Sequence, residues 1–246
     1  MDFVALLNSV DAAVWGPPMI VLLLGCHVYT TIRTKCIQRK LPLALRLSIT
    51  KDEGAQGDVS NFGAMATSLA STLGTGSIVG VATAILSGGP GAVLWMWLTG
   101  ILGMATKYTE VFAAMKYRVK DARGHMAGGA MHVWEQRYKR PDGTVPWWAK
   151  LAAIWFAIMA CFSIFGIGCA VQTSAITSVV QANFGVEPWI VAAIVCGSAL
   201  LIIVGGLKTV SGICEKLVPL MGGAYILGCL YILVCNHAYL WDSVVT

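Results

Sequence analysis

The sequence predicts an all-α polytopic membrane protein with six transmembrane helices, and three observations carry that prediction. Of 246 residues, 57% are hydrophobic and only 12% charged, with a mean hydropathy of +0.73. A soluble domain needs about a quarter of its residues charged to cover its surface. Apolar stretches of about 20 residues, the length that crosses a bilayer, recur along the chain. All 17 Lys and Arg fall in alternate connections between those stretches or in the span ends that adjoin them. This composition excludes a disordered chain, a collagen-like repeat and a disulfide-stapled secreted module.

The spans are expected at residues 13–32, 61–87, 91–117, 148–184, 186–206 and 217–236, in one transmembrane domain over 1–246. The first lacks the basic leader and small-residue cleavage site of a signal peptide and is kept as a span. The third follows Gly88-Gly89-Pro90-Gly91. The fourth is longer than one crossing requires, so it is tilted or extends beyond the bilayer. Between the first two spans, residues 33–49 (RTKCIQRKLPLALRLSI) mix bases with Leu and Ile. They suit either an amphipathic helix on the inner membrane surface or a plain basic connector.

Orientation follows from the basic residues, which are retained on the cytoplasmic side. One group runs from Arg33 to Lys51 and a second from Lys107 to Lys150, while Lys208 and Lys216 bracket the short loop before the sixth span. The other side carries only acidic charge, at Asp2, Asp11, Glu187 and Asp242. Both termini are therefore expected outside. The net charge of +5 reads as a topology signal, with anionic lipid headgroups as partner and no nucleic acid.

The eight cysteines form no C-x-x-C pair and the four histidines are scattered, so neither a metal nor a haem site is indicated. No nucleophile and base pair is visible, and an enzyme is not expected. Lys107 and Glu110, three apart near the basic end of the third span, are expected to pair while the lysine snorkels. Trp95, Trp97, Trp147, Trp148, Trp189 and Trp241 stand mostly near span ends, as an interfacial belt would.

The chemistry concentrates in the second span, where residues 66–80 read ATSLASTLGTGSIVG. Gly74 and Gly76 flank Thr75, and each disfavours a helix by about 1 kcal/mol relative to Ala. A helix interrupted there exposes carbonyls on its upstream half and amides on its downstream half, and in hydrocarbon each orphan costs several kcal/mol unless satisfied. A cation can satisfy the carbonyls and a carboxylate the amides, which is the architecture of a sodium-coupled carrier site near the midplane. The competing reading is helix packing, because Gly76-x-x-x-Gly80 and Ser68-x-x-x-Thr72 fit the small-x-x-x-small pattern. A dinucleotide loop is discarded, since Gly80 comes one residue late and no soluble strand precedes.

The stretch from Thr72 to Arg118 (TLGTGSIVGVATAILSGGPGAVLWMWLTGILGMATKYTEVFAAMKYR) resembles the signature region of the alanine or glycine:cation symporters, the sodium:alanine symporter family. The likeness continues through GGAMHVWE (128–135), GIGCAVQTS (166–174) and GGLKTVSGICEKLVP (205–219), and includes the YTTIRTKCIQ junction after the first span. It covers nearly the whole chain. The resemblance implies a leucine-transporter-like fold of two inverted five-helix repeats behind one extra N-terminal helix. It also implies import of alanine or glycine with sodium as coupling ion and no other cofactor, across the bacterial inner membrane. Carried over by position, the amides of Gly74, Thr75 and Gly76 would meet the substrate carboxylate, with Thr72, Ser77 and Gln172 beside its polar end. The carbonyls of Ala70 and Leu73 would face sodium.

Three departures accompany the resemblance. Ser77 stands where the family usually has Asn, and Cys169 and Ser174 replace two further Asn residues, each with a smaller group of lower hydrogen-bonding capacity. Family members have about eleven spans, whereas the expected spans here make only the extra helix and first repeat. The chain is therefore expected to be a truncated or split half of a carrier, working with a separate second-repeat chain or as a homodimer. The alternative is a non-transporting membrane remnant or scaffold.

Overall fold

The computed structural model describes residues 3–50, 59–120, 124 and 126–237. Asp2, Lys51, Arg123, His125, Trp241 and Asp242, which figure in the sequence reading, lie outside them. The described residues are almost entirely helical: α1 (Phe3–Val14), α2 (Pro17–Arg33), α3 (Leu41–Ile49), α4 (Asn61–Thr72), α5 (Thr75–Gly88), α6 (Gly91–Lys116), α7 (Ala130–Arg137), α8 (Trp147–Ser163), α9 (Gln172–Phe184), α10 (Pro188–Val204) and α11 (Gly206–Cys235). A two-stranded antiparallel hairpin, β1 (Val119–Lys120) with β2 (Met126–Ala127), is the one departure from helix that the charge pattern did not foretell.

Local chemistry sets most boundaries. Pro17 and Pro18 open α2, where a missing amide hydrogen is harmless. A side chain on Gly16 would press to 2.8 Å from the Ala12 carbonyl oxygen, so glycine is required where α1 turns into α2. After α2 the chain passes through two left-handed residues, Lys35 (φ 54°) and Cys36 (φ 56°). Non-glycine residues adopt this conformation only where surrounding contacts hold it. A 3-10 turn (Ile37–Lys40) and α3 follow, so the basic 33–49 segment is helical rather than a plain connector. Ser60 caps α4, its hydroxyl accepting from the Gly63 amide at 2.9 Å. Gly185 (φ 67°) ends α9 and Pro188 starts α10. In the loop before α8, the Asp142 carboxylate accepts from the Thr144 hydroxyl (2.7 Å) and amide (2.9 Å), which holds its carboxyl below the usual range.

Among the described residues, three helical runs are long and apolar enough to cross a membrane: 4–33, 147–184 and 206–235. The bent pair α4–α5 makes a fourth if counted as one span. α6 is long enough, at 26 residues and about 39 Å, but carries Lys107, Glu110 and Lys116 in its second half. α10 has only 17 residues. The six expected spans thus all fall on helices, while length and apolarity alone qualify three or four. The last helix also begins earlier than expected, at Gly206, because its left-handed backbone (φ 74°) makes the turn within one residue. Lys208, Glu215 and Lys216 are therefore helical, not part of a loop.

The packing is that of helices in lipid. α4 lies along α11, α2 along α6, α7 on α8, α9 on α10, and α5 touches both α6 and α9. The residues buried at these contacts are small or hydroxylated: Ala66, Ala105, Ala149, Ala153, Thr30, Thr177 and Ser211, with Val191 and Val218. Among the described residues none of the large side chains is fully buried. The accessible surface is 18900 Å², against about 10,500 Å² for a compact soluble protein of this mass. Small residues at the seams and large apolar ones outside suit a solvent as apolar as leucine, where close backbone approach and hydrogen bonds, not a core, hold helices together.

Two polar seams fix the register. On α2, His27 Nδ1 and the Thr30 hydroxyl each share a 2.8 Å hydrogen bond with the Thr106 hydroxyl of α6. At the foot of α4, the Ser60 hydroxyl donates to the Glu215 carboxylate of α11 at 2.6 Å. Gly63 makes room there: a Cβ at Gly63 would lie 2.3 Å from both Glu215 Oε1 and Ser211 Oγ. Gly63→Leu is expected to push α4 off α11 and lower stability by about 1–3 kcal/mol, the usual cost of overpacking, seen as a lower unfolding midpoint in detergent. Thr106→Val, which removes both hydroxyl bonds at the other seam, should cost about 1 kcal/mol in the same assay.

Candidate functional site

The second span is broken at the Gly-Thr-Gly sequence. α4 stops at Thr72, Leu73 (φ −83°, ψ 58°) and Gly74 (φ −98°, ψ 172°) are non-helical, and α5 departs at 44° to α4. Gly74 does not lie in the left-handed region, so its backbone alone does not demand glycine. Space does: a Cβ there would sit 2.8 Å from Gln172 Nε2 and 3.1 Å from Gln172 Oε1. At Gly76 the same group is 3.5 Å away, an ordinary contact.

Gln172 stands at the head of α9, directly after a π-helical segment, Ile164–Val171, that joins it to α8 in one continuous run. A π turn adds a residue to the helical circuit and re-aims the side chains that follow. Here the run contains Gly166, Gly168 and Cys169, and it delivers the Gln172 carboxamide to the first turn of α5. Gln172 Oε1 accepts from the Thr75 amide at 3.1 Å and, at short range, from the Thr75 hydroxyl. A free N–H at the positive end of a helix is thus met by a carboxamide oxygen, 97 residues away in sequence.

The remaining polar groups divide into satisfied and open. The Ser77 hydroxyl reaches back across the break to the Thr72 carbonyl at 2.6 Å, and the Thr72 hydroxyl donates to the Ser68 carbonyl at 2.9 Å. The Leu69 carbonyl accepts from the Leu73 amide at 2.7 Å, and the Gly74 carbonyl from the amides of Ser77 and Ile78 at 3.1 and 3.3 Å. Among the described residues no hydrogen bond closes on the carbonyls of Ala70 or Leu73. The structure therefore gathers Thr72, Gly74, Thr75, Gly76, Ser77 and Gln172 around one break, with the Ala70 and Leu73 carbonyls at the end of its upstream half. Gly74, Thr75, Gly76 and Gln172 are half-buried, Thr72 and Ser77 exposed. Cys169 and Ser174 flank Gln172 on the same run and are exposed.

Sequence reasoning found the break and Gln172 but not how they meet. The π segment carries no propensity signal beyond its glycines. The Ser60–Glu215 bond, which seats α4 beneath the break, joins residues 155 apart and no local pattern announces it. The Lys107–Glu110 pair is present at 3.2 Å, with both side chains 64% exposed, as its spacing suggested.

A helix broken within an apolar stretch, with a helix-end amide met by a half-buried carboxamide, is a feature shared with the discontinuous helices of membrane transporters. Comparison with known proteins is specific on this point: the model of the sodium:alanine symporter family matches residues 1–246, and the chain belongs to that family. It is 45% identical over 98% of its length to the sodium/alanine symporter AgcS of Methanococcus maripaludis. It is 44% identical over 99% to an uncharacterized transporter of Haemophilus influenzae, and 35% identical over 95% to the amino-acid carrier protein AlsT of Bacillus subtilis. The chain spans about half the length of these curated relatives, 52%, 52% and 48%. The family is one of transporters, and the chain is a multi-pass membrane protein whose described residues are predominantly helical.

If Gln172 guards the break, Gln172→Leu should leave the Thr75 amide unpartnered. Loss of one hydrogen bond worth about 1 kcal/mol corresponds to hydrogen exchange about fivefold faster in the 73–78 peptide, with α6 peptides unchanged. Equal exchange in both proteins would show that the bond contributes nothing.

Proposed function

We propose that the chain supplies one half of a sodium-coupled symporter for a small neutral amino acid, alanine or glycine, in the bacterial inner membrane. The observation that carries this reading is the helix break, where a carboxamide oxygen already sits on the Thr75 amide that a substrate carboxylate would use. The Thr75 and Gly76 amides, at the positive end of α5, bind the carboxylate. Gln172 exchanges its contact with Thr75 for one with the substrate. The open carbonyls of Ala70 and Leu73 take the sodium ion, and Thr72 and Ser77 line the polar end of the substrate. Side chains at Gly74 would strike Gln172, which keeps that face clear for a small ligand.

In this reading the helices are the extra N-terminal helix and first five-helix repeat of a leucine-transporter-like fold. They cross the membrane six times, with both ends outside and the bases of 33–50 and α6–α8 inside. A second repeat, as a separate chain or a second copy, supplies the other face of the site, and access alternates as the two rock about the break. The smaller groups at Ser77, Cys169 and Ser174 favour one competing reading, a non-transporting membrane scaffold, because they reduce the hydrogen bonds available to substrate.

Uptake of labelled alanine and glycine into proteoliposomes separates the two. The chain co-reconstituted with the C-terminal half of the Methanococcus relative is expected to accumulate substrate only under an inward sodium gradient. Gly76→Leu, which fills the space before Gln172, should reduce that uptake to background without impairing insertion. Sodium-independent uptake, or full uptake by the Leu variant, would contradict the site; no uptake from well-inserted protein would favour the scaffold.

A further inference from the structure

Away from the break, the structure holds a cavity of about 690 Å³ between the 3-10 turn and α3 on one side and α4 and α6 on the other. That volume is within the range of sites that enclose small ligands. Its walls are Leu43 and Leu47 of α3, Met65 of α4 and Met104 of α6, and two lysines, Lys40 and Lys107, open onto it. Methionines adapt their shape to flexible apolar partners. The roof is held in place: Gln38 Nε2 donates to the Thr31 hydroxyl of α2 and to the Ile101 carbonyl of α6, both at 3.1 Å. The left-handed pair Lys35 and Cys36 bends the chain back over the groove.

We propose that this groove binds an anionic phospholipid, one acyl chain lying between α3 and α6 and the phosphate between Lys40 and Lys107. Charge selects the occupant. Among the described residues the one ion pair is Lys107–Glu110, so two ammonium groups at the groove are opposed by a single carboxylate. Arg39 and Arg46 on the same segment add to the positive field. An apolar protein helix seated here would leave that charge uncompensated, and a free phosphate would leave the leucine and methionine walls wet. A phospholipid of the cytoplasmic leaflet satisfies both ends. It would pin α3 against α4 and α6, and the site does not depend on the transport reading.

Native mass spectrometry of the purified chain tests this, with phosphatidylglycerol and phosphatidylcholine of matched acyl chains and glycerol 3-phosphate as the free phosphate. One phosphatidylglycerol is expected per chain, held more tightly than phosphatidylcholine, with no retention of glycerol 3-phosphate. Lys40→Gln and Lys107→Gln should each weaken phosphatidylglycerol about fivefold, Glu110→Gln should tighten it, and Lys208→Gln, outside the groove, should change nothing. Ala44→Trp, which fills the cavity, should abolish retention of both lipids; if that variant does not fold, the lysine and Glu110 variants decide. Equal retention of both lipids with no effect of the lysines would overturn the proposal. So would binding of glycerol 3-phosphate alone, or a lipid-free mass of two chains that Ala44→Trp dissociates, which would assign the groove to a second copy.

Discussion

Inside a bilayer no water is available to a backbone N–H or C=O, and the rest of this structure follows from how that constraint is relaxed at one place. Between Thr72 and Thr75 the second span gives up its helical hydrogen bonds. Two groups are recovered: the Thr72 carbonyl locally, by the Ser77 hydroxyl, and the Thr75 amide by the distant Gln172. Among the described residues the carbonyls of Ala70 and Leu73 stay open. Gln172 reaches the amide from the first position of α9, directly after the π segment. α4 keeps its place under the break because Ser60 and Glu215 bind across the bare surface of Gly63.

The same constraint explains how little is buried. Alanine, serine and threonine occupy the seams, so helices touch through backbone proximity and hydroxyl bonds, while leucines, isoleucines and tryptophans face outward. Such seams are individually weak.

Much of the fold was legible in the sequence because its signals are local. Apolar length marked every helix that became a candidate span, and Gly74-Thr75-Gly76 marked the break. Pro219 gave no boundary, since α11 runs through it, and the expected loop around Lys208 is helical because Gly206 turns the chain alone. The site was legible in its members but not in its geometry. Gly74 looked like a helix breaker by propensity, yet its decisive property is the absence of a side chain where Gln172 lies. That contact joins distant parts of the chain, as do Ser60–Glu215 and His27–Thr106, and distant contacts leave no periodic trace.

Amide chemical shifts report directly on whether substrate and sodium meet at the break. In nanodiscs holding the chain together with the remaining half of a family carrier, the ¹⁵N amide signals of Thr75 and Gly76 should move saturably when alanine and sodium are both present. Alanine with potassium should not move them. Unchanged Thr75 and Gly76 signals under conditions where alanine is transported would place the binding site elsewhere and contradict the account.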